Sequence, residues 1–251
     1  MKNILIFLII VLLISSGDTA FSQSKRAACV YQSAPITALL NGVMNDDFTV
    51  AQIKHSGNFG LGTFNGVDGE MIILNGIVYR VEFSGKVTLP ANSVKSPFVT
   101  ETFFHADTTF KINDTLDFSG LDKLIDKVLP SKNIICAIKI NGIFSSIQTR
   151  SEEKQTAPYS SLADVLKDQS VFNFKNITGT IAGFYFPPYM ENINAVGYHF
   201  HFISKDKKSG GHVLNLITKS VSVEVEFIKN FEMRIPSTGD FYSKDYAKLK
   251  Y

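Results

Sequence analysis

Three of the five histidines fall within fourteen residues, and their spacing constrains the fold of this segment more tightly than any other feature of the chain. His199 and His201 are two residues apart, so in a β-strand their side chains point to the same face. The polar run from Ser204 to Gly211 predicts a turn about Asp206-Lys207. Such a turn places His212 directly opposite His201 on the returning strand. The pattern therefore predicts a β-hairpin that carries three imidazoles on one face.

Three imidazoles on one face predict a metal site. They would repel one another when protonated and would lack partners when neutral, and a divalent metal removes both problems. Three nitrogen ligands with an open fourth position suit zinc as a Lewis acid, although iron, nickel and copper also accept imidazole. The alternative is three ordinary histidines of the core or surface. His55 and His105 lie far away in the sequence, and we interpret both as structural or surface residues.

The rest of the chain predicts many short strands and a few short helices. Two Asn-Gly dipeptides, Asn75-Gly76 and Asn141-Gly142, lie between apolar runs, which is typical of β-hairpins. Residues 55–69 are rich in glycine and are predicted to form an ordered loop, and residues 98–105 alternate as a strand. Strands dominate after residue 177, with separate strands predicted at residues 212–218 and 221–228. Short helices are predicted at residues 33–40, 49–54, 117–128 and 160–167. We expect an α+β protein with two closely packed mixed β-sheet layers or subdomains, and a possible internal division near residues 150–160.

Composition excludes two broad classes of protein. Apolar residues make up 45% of the 251 residues, which excludes a disordered polar chain. Lys+Arg number 25 and Asp+Glu 23, and no run of basic residues is longer than two. Nucleic-acid-binding surfaces show a stronger and more clustered basic excess, so we do not expect a nucleic-acid partner.

The first 22 residues have the pattern of a secretory signal peptide. Lys2 precedes the apolar run Ile4 to Ile14, which is too short for a membrane span, and small residues follow at Ala20 and Ser22. We therefore predict a secreted or periplasmic protein of residues 23–251 without a stable membrane span, the alternative being an uncleaved N-terminal anchor. After export, Cys29 and Cys136 could form a disulfide, although two separate buried thiols are the favoured interpretation.

The segment Gly197 to Val213 resembles the metal motif of the α-acetolactate decarboxylases. Further blocks agree with that family in order and spacing, and the resemblance extends from Tyr31 to Tyr242. These blocks include Gly57-Asn-Phe-Gly-Leu-Gly-Thr-Phe64, Val67-Asp-Gly-Glu-Met-Ile72, Ile140-Asn-Gly-Ile-Phe144, Thr149-Arg-Ser151 and Gly179-Thr-Ile-Ala-Gly-Phe184.

The resemblance implies a carboxy-lyase that converts 2-acetolactate to acetoin and carbon dioxide. It implies a Zn²⁺ ion held by His199, His201 and His212. This ion would chelate the ketone and hydroxyl oxygens of the substrate and stabilise an enediolate. The resemblance also implies that Arg150 binds the substrate carboxylate and that Glu70 is the proton donor, and it implies a homodimer. The alternatives are that Arg150 is an ordinary strand-end residue in a salt bridge and that Glu70 is a surface residue of a hairpin.

Two departures from the family bear on its activity. The family loop usually reads Gly-Asp-Phe-Gly, whereas this chain has Asn58, which fills a turn role equally well. In relatives, the chain commonly continues past the segment that matches residues 241–245 and brings an acidic residue back to the metal. In this sequence Asp245 is the candidate for that role, and it is a poor substitute for the acidic residue. Two alternative functions therefore stay open, namely a secreted metal- or ligand-binding module with little turnover and another three-histidine metalloenzyme.

Overall fold

The computed structural model describes residues 28–248, and β-strands dominate this part of the chain. The strands of the described residues are, in chain order, β1 (Cys29–Ser33), β2 (Phe48–Thr49), β3 (Phe59–Thr63), β4 (Glu70–Leu74), β5 (Ile77–Val81), β6 (Val87–Thr88), β7 (Lys95–Ser96), β8 (Val99–Thr102), β9 (Thr108–Ile112), β10 (Ile135–Ser151), β11 (Ser170–Phe186), β12 (Gly197–Ser204), β13 (Gly210–Ile228) and β14 (Asn230–Arg234).

The helices of the described residues are short, and side chains cap the N-termini of three of them. The helices are α1 (Ile36–Leu40), α2 (Val50–Ser56), α3 (Phe118–Asp126), α4 (Leu162–Val165) and α5 (Gly239–Ser243), with 3₁₀ turns at Leu166–Asp168, Pro188–Met190 and Tyr246–Lys248. Thr49 and Gln52 form a capping box at the start of α2, and Asp117 accepts a hydrogen bond from the Gly120 N–H at the start of α3. Ser161 caps α4 in the same way.

Two large sheets form the molecule. The first has seven strands in the order β14-β1-β8-β3-β4-β5-β6, and it is mixed because β14 runs parallel to β1. The second has the order β10-β11-β12-β13-β9, and β10 also pairs with β13, so that four of its strands close into a ring. Strands β2 and β7 form a small separate pair.

A shared apolar layer joins the two sheets. Leu61 and Ile72 of the seven-stranded sheet pack in one buried cluster with Ala182, Phe184 and Ile203 of the five-stranded sheet. The expected α+β architecture with two closely packed mixed sheet layers and short helices is therefore confirmed. Between β10 and α4, residues 152–161 contain neither helix nor strand, and an internal division there stays a prediction.

The hairpin predicted at Asn75-Gly76 is confirmed, since β4 and β5 pair directly across this turn. Both residues have the positive φ angles, 52° and 75°, that a type I′ turn requires. The hairpin predicted about Asp206-Lys207 is also confirmed, because β12 and β13 pair across it.

The second hairpin, predicted at Asn141-Gly142, is wrong. Strand β10 runs straight through this dipeptide and pairs with β11 on one side and β13 on the other. The Asn141 side chain accepts a hydrogen bond from the hydroxyl of Thr180 and donates one to Glu224, so it bridges neighbouring strands. A Cβ atom at Gly142 would lie 2.2 Å from the main-chain oxygen of Ser220. This glycine therefore permits the close approach of β13 and forms no turn.

Two smaller expectations also change. The region predicted as a loop at residues 55–69 contains strand β3, all of whose residues are buried, because β3 lies between β4 and β8. The segments predicted as separate strands after His212 form the single strand β13.

The predicted signal peptide lies outside the described residues. Within residues 28–248, no helix has the length and apolar character that a membrane crossing requires. Cys136 is a buried thiol, and burial raises its pKa to about 12, which agrees with the interpretation of Cys136 as a buried core thiol.

Candidate metal centre and active site

The histidine hairpin brings three imidazoles together as the sequence predicts. His201 on β12 and His212 on β13 are direct cross-strand partners, and His199 lies two residues before His201 on the same face. The turn between the strands is closed by polar contacts. The Ser204 hydroxyl donates to Asp206 at 2.6 Å and accepts the main-chain N–H of Ser209 at 3.1 Å. These contacts set the register that places the imidazoles.

The three rings present one nitrogen each to a common point. His212 Nδ1 lies 3.2 Å from His199 Nε2 and 3.3 Å from His201 Nε2. A tetrahedral zinc site with Zn–N bonds of about 2.0–2.1 Å places its nitrogen ligands roughly 3.3 Å apart, so the spacing fits a metal. The three ligand atoms lie within 4.8 Å of one another. Among the described residues, these three histidines are the group that can hold a metal ion.

Burial keeps these imidazoles neutral, as metal ligands must be. It lowers the pKa of His199 to about 4, and the charge of Arg150 acts in the same direction. The pKa values of His201 and His212 are held well below the ordinary value by burial and by the charge of His199. Their lone pairs are therefore available at neutral pH.

A main-chain contact orients one of the three imidazoles. The Nδ1 atom of His201 lies 2.8 Å from the carbonyl oxygen of Met71, so Nδ1 carries the proton and Nε2 presents its lone pair to the metal position. His199 Nδ1 is buried and has no hydrogen-bond partner among residues 28–248.

Glu70, the predicted proton donor, reaches the same point from the other sheet. It begins β4, is 5% exposed, and its Oε2 lies 3.3 Å from His201 Nε2. Burial raises its pKa well above the ordinary value, and the nearby charge of Glu152 adds to this effect, while Arg150 opposes it. Glu70 is thus no surface residue, and burial favours the neutral form of its carboxyl group.

Arg150, the predicted carboxylate ligand, is also placed beside the histidines. On β10 it is the cross-strand partner of His212 on β13. A Cβ atom at Gly211 would lie 2.4 Å from the Arg150 carbonyl oxygen, so this glycine permits the close pairing. The Arg150 guanidinium forms an ion pair with Glu152 through Nη1.

Sequence reasoning missed Glu152. It is 2% exposed, and it lines the same cavity as the three histidines. A signal was present, because residues two apart on an extended chain share a face and Glu152 follows Arg150 by two.

A cavity of about 320 Å³ contains this cluster. Its polar groups are the three histidines, Glu70, Arg150 and Glu152, together with Thr63 and Tyr198. Its apolar wall comes mainly from the first part of the chain and from α4, and includes Ile36, Leu39, Val67, Phe98 and Leu162. Small polar ligands with an apolar side suit a site of this kind.

His55 and His105 stand apart from this cluster. Both are exposed and line a larger cavity of about 890 Å³ that contains none of the three clustered histidines. The interpretation of both as structural or surface residues agrees with this placement. The five predicted site residues therefore all lie in the smaller cavity.

The structure places both residues at which the sequence departs from the family pattern, Asn58 and Asp245, away from the metal cavity. The Asn58 side-chain oxygen accepts the main-chain N–H of Phe104 at 2.9 Å, and Asn58 does not line the metal cavity. Asp245 is exposed and accepts the main-chain N–H of Ala247. Within residues 28–248, the carboxyl groups in the cavity are those of Glu70 and Glu152.

Comparison with known proteins gives the family. A sequence model of the family "Alpha-acetolactate decarboxylase" matches residues 30–248. The alpha-acetolactate decarboxylase of Bacillus subtilis strain 168 is 40% identical over 231 residues, which cover 90% of this chain and 91% of the relative. That of Methanosarcina mazei is 39% identical over 223 residues, covering 89% and 77%.

Solved structures of similar proteins agree with this family assignment. The crystal structure of the Bacillus subtilis strain 168 enzyme superposes with a TM-score of 0.85 at 40% identity and covers 86% of this chain and 93% of that one. A Staphylococcus aureus protein described as similar to alpha-acetolactate decarboxylase gives a TM-score of 0.82 at 28% identity, covering 88% and 94%. With its sequence matched almost from end to end and its fold shared, this chain belongs to the alpha-acetolactate decarboxylase family and is a carboxy-lyase.

Proposed function

We propose that this protein decarboxylates 2-acetolactate to acetoin and carbon dioxide, with a zinc ion held by His199, His201 and His212. The observation that carries the proposal is the convergence of three neutral imidazole nitrogens, 3.2 and 3.3 Å apart, in one cavity with Glu70 and Arg150. Zinc, when bound, supplies a Lewis acid that stabilises the negative charge left on the substrate oxygens when carbon dioxide departs.

Arg150 binds and orients the carboxylate that is lost. A guanidinium has five N–H donors in a fixed fork, and it can hold a carboxylate with two parallel hydrogen bonds. Its place opposite His212 puts this clamp beside the metal ligands. The carbon–carbon bond that breaks is thereby held in one orientation relative to the ketone that receives its electron pair.

Glu70 supplies the proton. When the bond to the carboxylate carbon breaks, its electron pair passes toward the ketone, and a proton must then reach the carbon that carbon dioxide has left. Burial raises the pKa of the Glu70 carboxyl group and so favours its protonated form, and its Oε2 lies 3.3 Å from His201 Nε2, next to the proposed metal position. A carboxylic acid at this point can deliver its proton and recover it from solvent after product release.

The apolar wall completes the site. Ile36, Leu39 and Phe98 face the cavity and offer contacts for the two methyl groups of the substrate. They also exclude water, which strengthens the charge interactions of Arg150 inside the cavity.

An acetoin assay on the purified mature protein tests the proposal. We expect acetoin and carbon dioxide from racemic acetolactate with zinc present, loss of both after chelation, and recovery when zinc is returned. A protein that binds zinc without releasing carbon dioxide would instead be a metal- or ligand-binding module. Recovery by another divalent metal in preference to zinc would overturn the choice of metal.

We further propose that the protein is exported and that it forms a homodimer. The support for export is the N-terminal pattern of residues 1–22, and the support for the dimer is the resemblance to the family. Light scattering on the purified mature protein tests the dimer, and a monomeric mass at micromolar concentration would contradict it.

A further inference from the structure

Glu152 is a buried carboxyl group to which the proposed reaction assigns no role. It follows the end of β10 by one residue and is 2% exposed. One of its oxygens, Oε1, accepts a hydrogen bond from Arg150 Nη1. The other, Oε2, is buried without a hydrogen-bond partner among the described residues. A carboxyl group buried in this way is unfavourable unless its neighbours compensate for it, and Arg150 is the cationic neighbour that does so.

We propose that Glu152 is a positioning residue that holds the guanidinium of Arg150 in the orientation that receives the substrate carboxylate. The inference rests on the proposed role of Arg150. An arginine side chain has several rotatable bonds and loses considerable freedom when it is fixed. The hydrogen bond at Nη1 fixes one arm of the guanidinium fork. Because the fork is rigid, this contact also sets the directions of the other N–H donors, which remain for a ligand in the cavity.

The reaction itself gives a reason for a permanent partner. The substrate carboxylate leaves as carbon dioxide, which is neutral and cannot remain paired with a guanidinium. Arg150 lies on a strand inside the cavity, with a side chain that is 12% exposed, so it would then be a nearly buried cation without an acceptor. The Glu152 contact persists through the cycle, so Arg150 keeps its position after each turnover and is ready for the next carboxylate.

The chain offers matched variants. Glu152→Met has a similar length and no acceptor oxygen, Glu152→Gln keeps an acceptor oxygen without the charge, and Glu153→Gln changes the exposed neighbour as a control. Each zinc-loaded variant would be assayed for kcat and KM with acetolactate. Inhibition would be measured with two probes, the carboxylate 2,3-dihydroxy-2-methylbutanoate and the neutral product acetoin. Zinc content and the thermal melting curve would be recorded for every variant.

For Glu152→Met we expect kcat/KM to fall roughly 10- to 100-fold, the range that a misplaced binding group produces. The carboxylate probe should bind at least about 10-fold more weakly, whereas acetoin should bind within about twofold, because acetoin makes no use of Arg150. Glu152→Gln should restore carboxylate binding to within about threefold of the unsubstituted protein, and Glu153→Gln should change nothing.

Three results would overturn the inference. They are unchanged carboxylate binding in Glu152→Met, equal weakening of both probes, and a Gln variant as impaired as the Met variant. If Glu152→Met does not fold, Glu152→Asp withdraws the acceptor by one methylene group and should weaken carboxylate binding while sparing acetoin; equal effects on both probes would again overturn it. An unsubstituted protein that makes no acetoin would refute the proposed function, whereas an active protein with unaffected variants refutes this inference alone.

Discussion

The Nδ1 atom of His201 lies 2.8 Å from the carbonyl oxygen of Met71, and this contact joins the two sheets at the metal centre. His201 belongs to the five-stranded sheet, and Met71 belongs to β4 of the seven-stranded sheet, one residue after Glu70. A single strand therefore contacts a proposed metal ligand through its main chain and carries the proposed acid through its side chain. Because the acceptor is a main-chain oxygen, no side-chain substitution at Met71 removes it directly.

Removal of one metal ligand should abolish stoichiometric zinc binding. In His199→Ala and His212→Ala, two of three nitrogen ligands remain, and the loss should exceed the roughly 10- to 100-fold that changes around a metal's ligands produce. Zinc content by mass spectrometry and the acetoin assay measure the effect. His105→Ala is the matched control, since His105 is exposed and lies outside the metal cavity. Full zinc and full activity in a ligand variant would refute the site.

Replacement of Arg150 should impair both substrate binding and the chemical step. The carboxylate that Arg150 is proposed to bind is present in the ground state and must also be oriented for cleavage, so Arg150→Lys should raise KM and lower kcat. Lysine keeps the charge but cannot form two parallel hydrogen bonds. Steady-state kinetics with acetolactate check this, and a lysine variant with unchanged KM would exclude Arg150 as the carboxylate ligand.

Glu70→Gln should lower kcat without raising KM, in contrast to the Arg150 variant. Glutamine keeps the shape and hydrogen bonding of the glutamate but has no proton to give to carbon, so kcat should fall by about 10²- to 10⁴-fold with little change in KM. If carbon dioxide release survives while the chiral purity of acetoin drops, solvent has replaced Glu70 as the proton donor, which supports its role. A Gln variant that keeps both rate and stereochemistry would show that another group donates the proton.

The metal hairpin was predictable because its information is local. A spacing of two between His199 and His201 fixes a shared face, and a polar turn fixes where His212 returns. The same kind of reasoning was wrong at Asn141-Gly142, although the dipeptide is identical to the one that turns at Asn75-Gly76. Here β11 and β13 pair along both edges of the strand, and only the tertiary structure reveals these partners.

Glu152 and Glu101 show a second limit of sequence reasoning. A glutamate in a polar segment such as residues 151–155 is ordinarily exposed, and Glu153 next to it is exposed. Whether such a side chain turns inward depends on Arg150 and on the wall of the cavity, which come from elsewhere in the fold. Glu101 lies on a strand that reads as alternating, and its burial depends on what covers that face of the sheet.

Cleavage of the N-terminal segment should give an exported chain that begins close to Gln23. The apolar run at residues 4–14 has the length of a signal peptide, and small residues follow at Ala20 and Ser22. The intact mass of the protein recovered outside the cytoplasm checks this. A mass that retains residues 1–22 would instead support an N-terminal anchor.

Glu101 is another buried carboxyl group, and it lies away from the metal cavity. It is fully buried on β8, between Tyr31 of β1 and Gly60 of β3, and both of its oxygens lack hydrogen-bond partners among residues 28–248. A Cβ atom at Gly57 would lie 2.8 Å from its Oε2, so the main chain packs directly against the carboxyl group. Burial raises the pKa of Glu101 well above its usual value.

This arrangement predicts that Glu101 makes the protein less stable as the pH rises. In the unfolded chain the carboxyl group ionises near its usual pKa of 4.5, whereas in the folded protein it keeps its proton to a higher pH. Its contribution to stability is therefore fully present below the unfolded pKa and is lost as the pH rises through the folded pKa. Glu101→Met should then be more stable than the unsubstituted protein at about pH 8, by roughly 1–3 kcal/mol, the usual cost of an unsatisfied buried polar group. The difference in stability should shrink toward about pH 5.

Urea unfolding at both pH values measures this difference in stability, with the exposed Glu232→Met as the control. Glu226 and Asp122, whose pKa values burial raises to about 7, shift both proteins alike and cancel in the comparison. A stability difference that does not change with pH would show that Glu101 finds a partner for its charge.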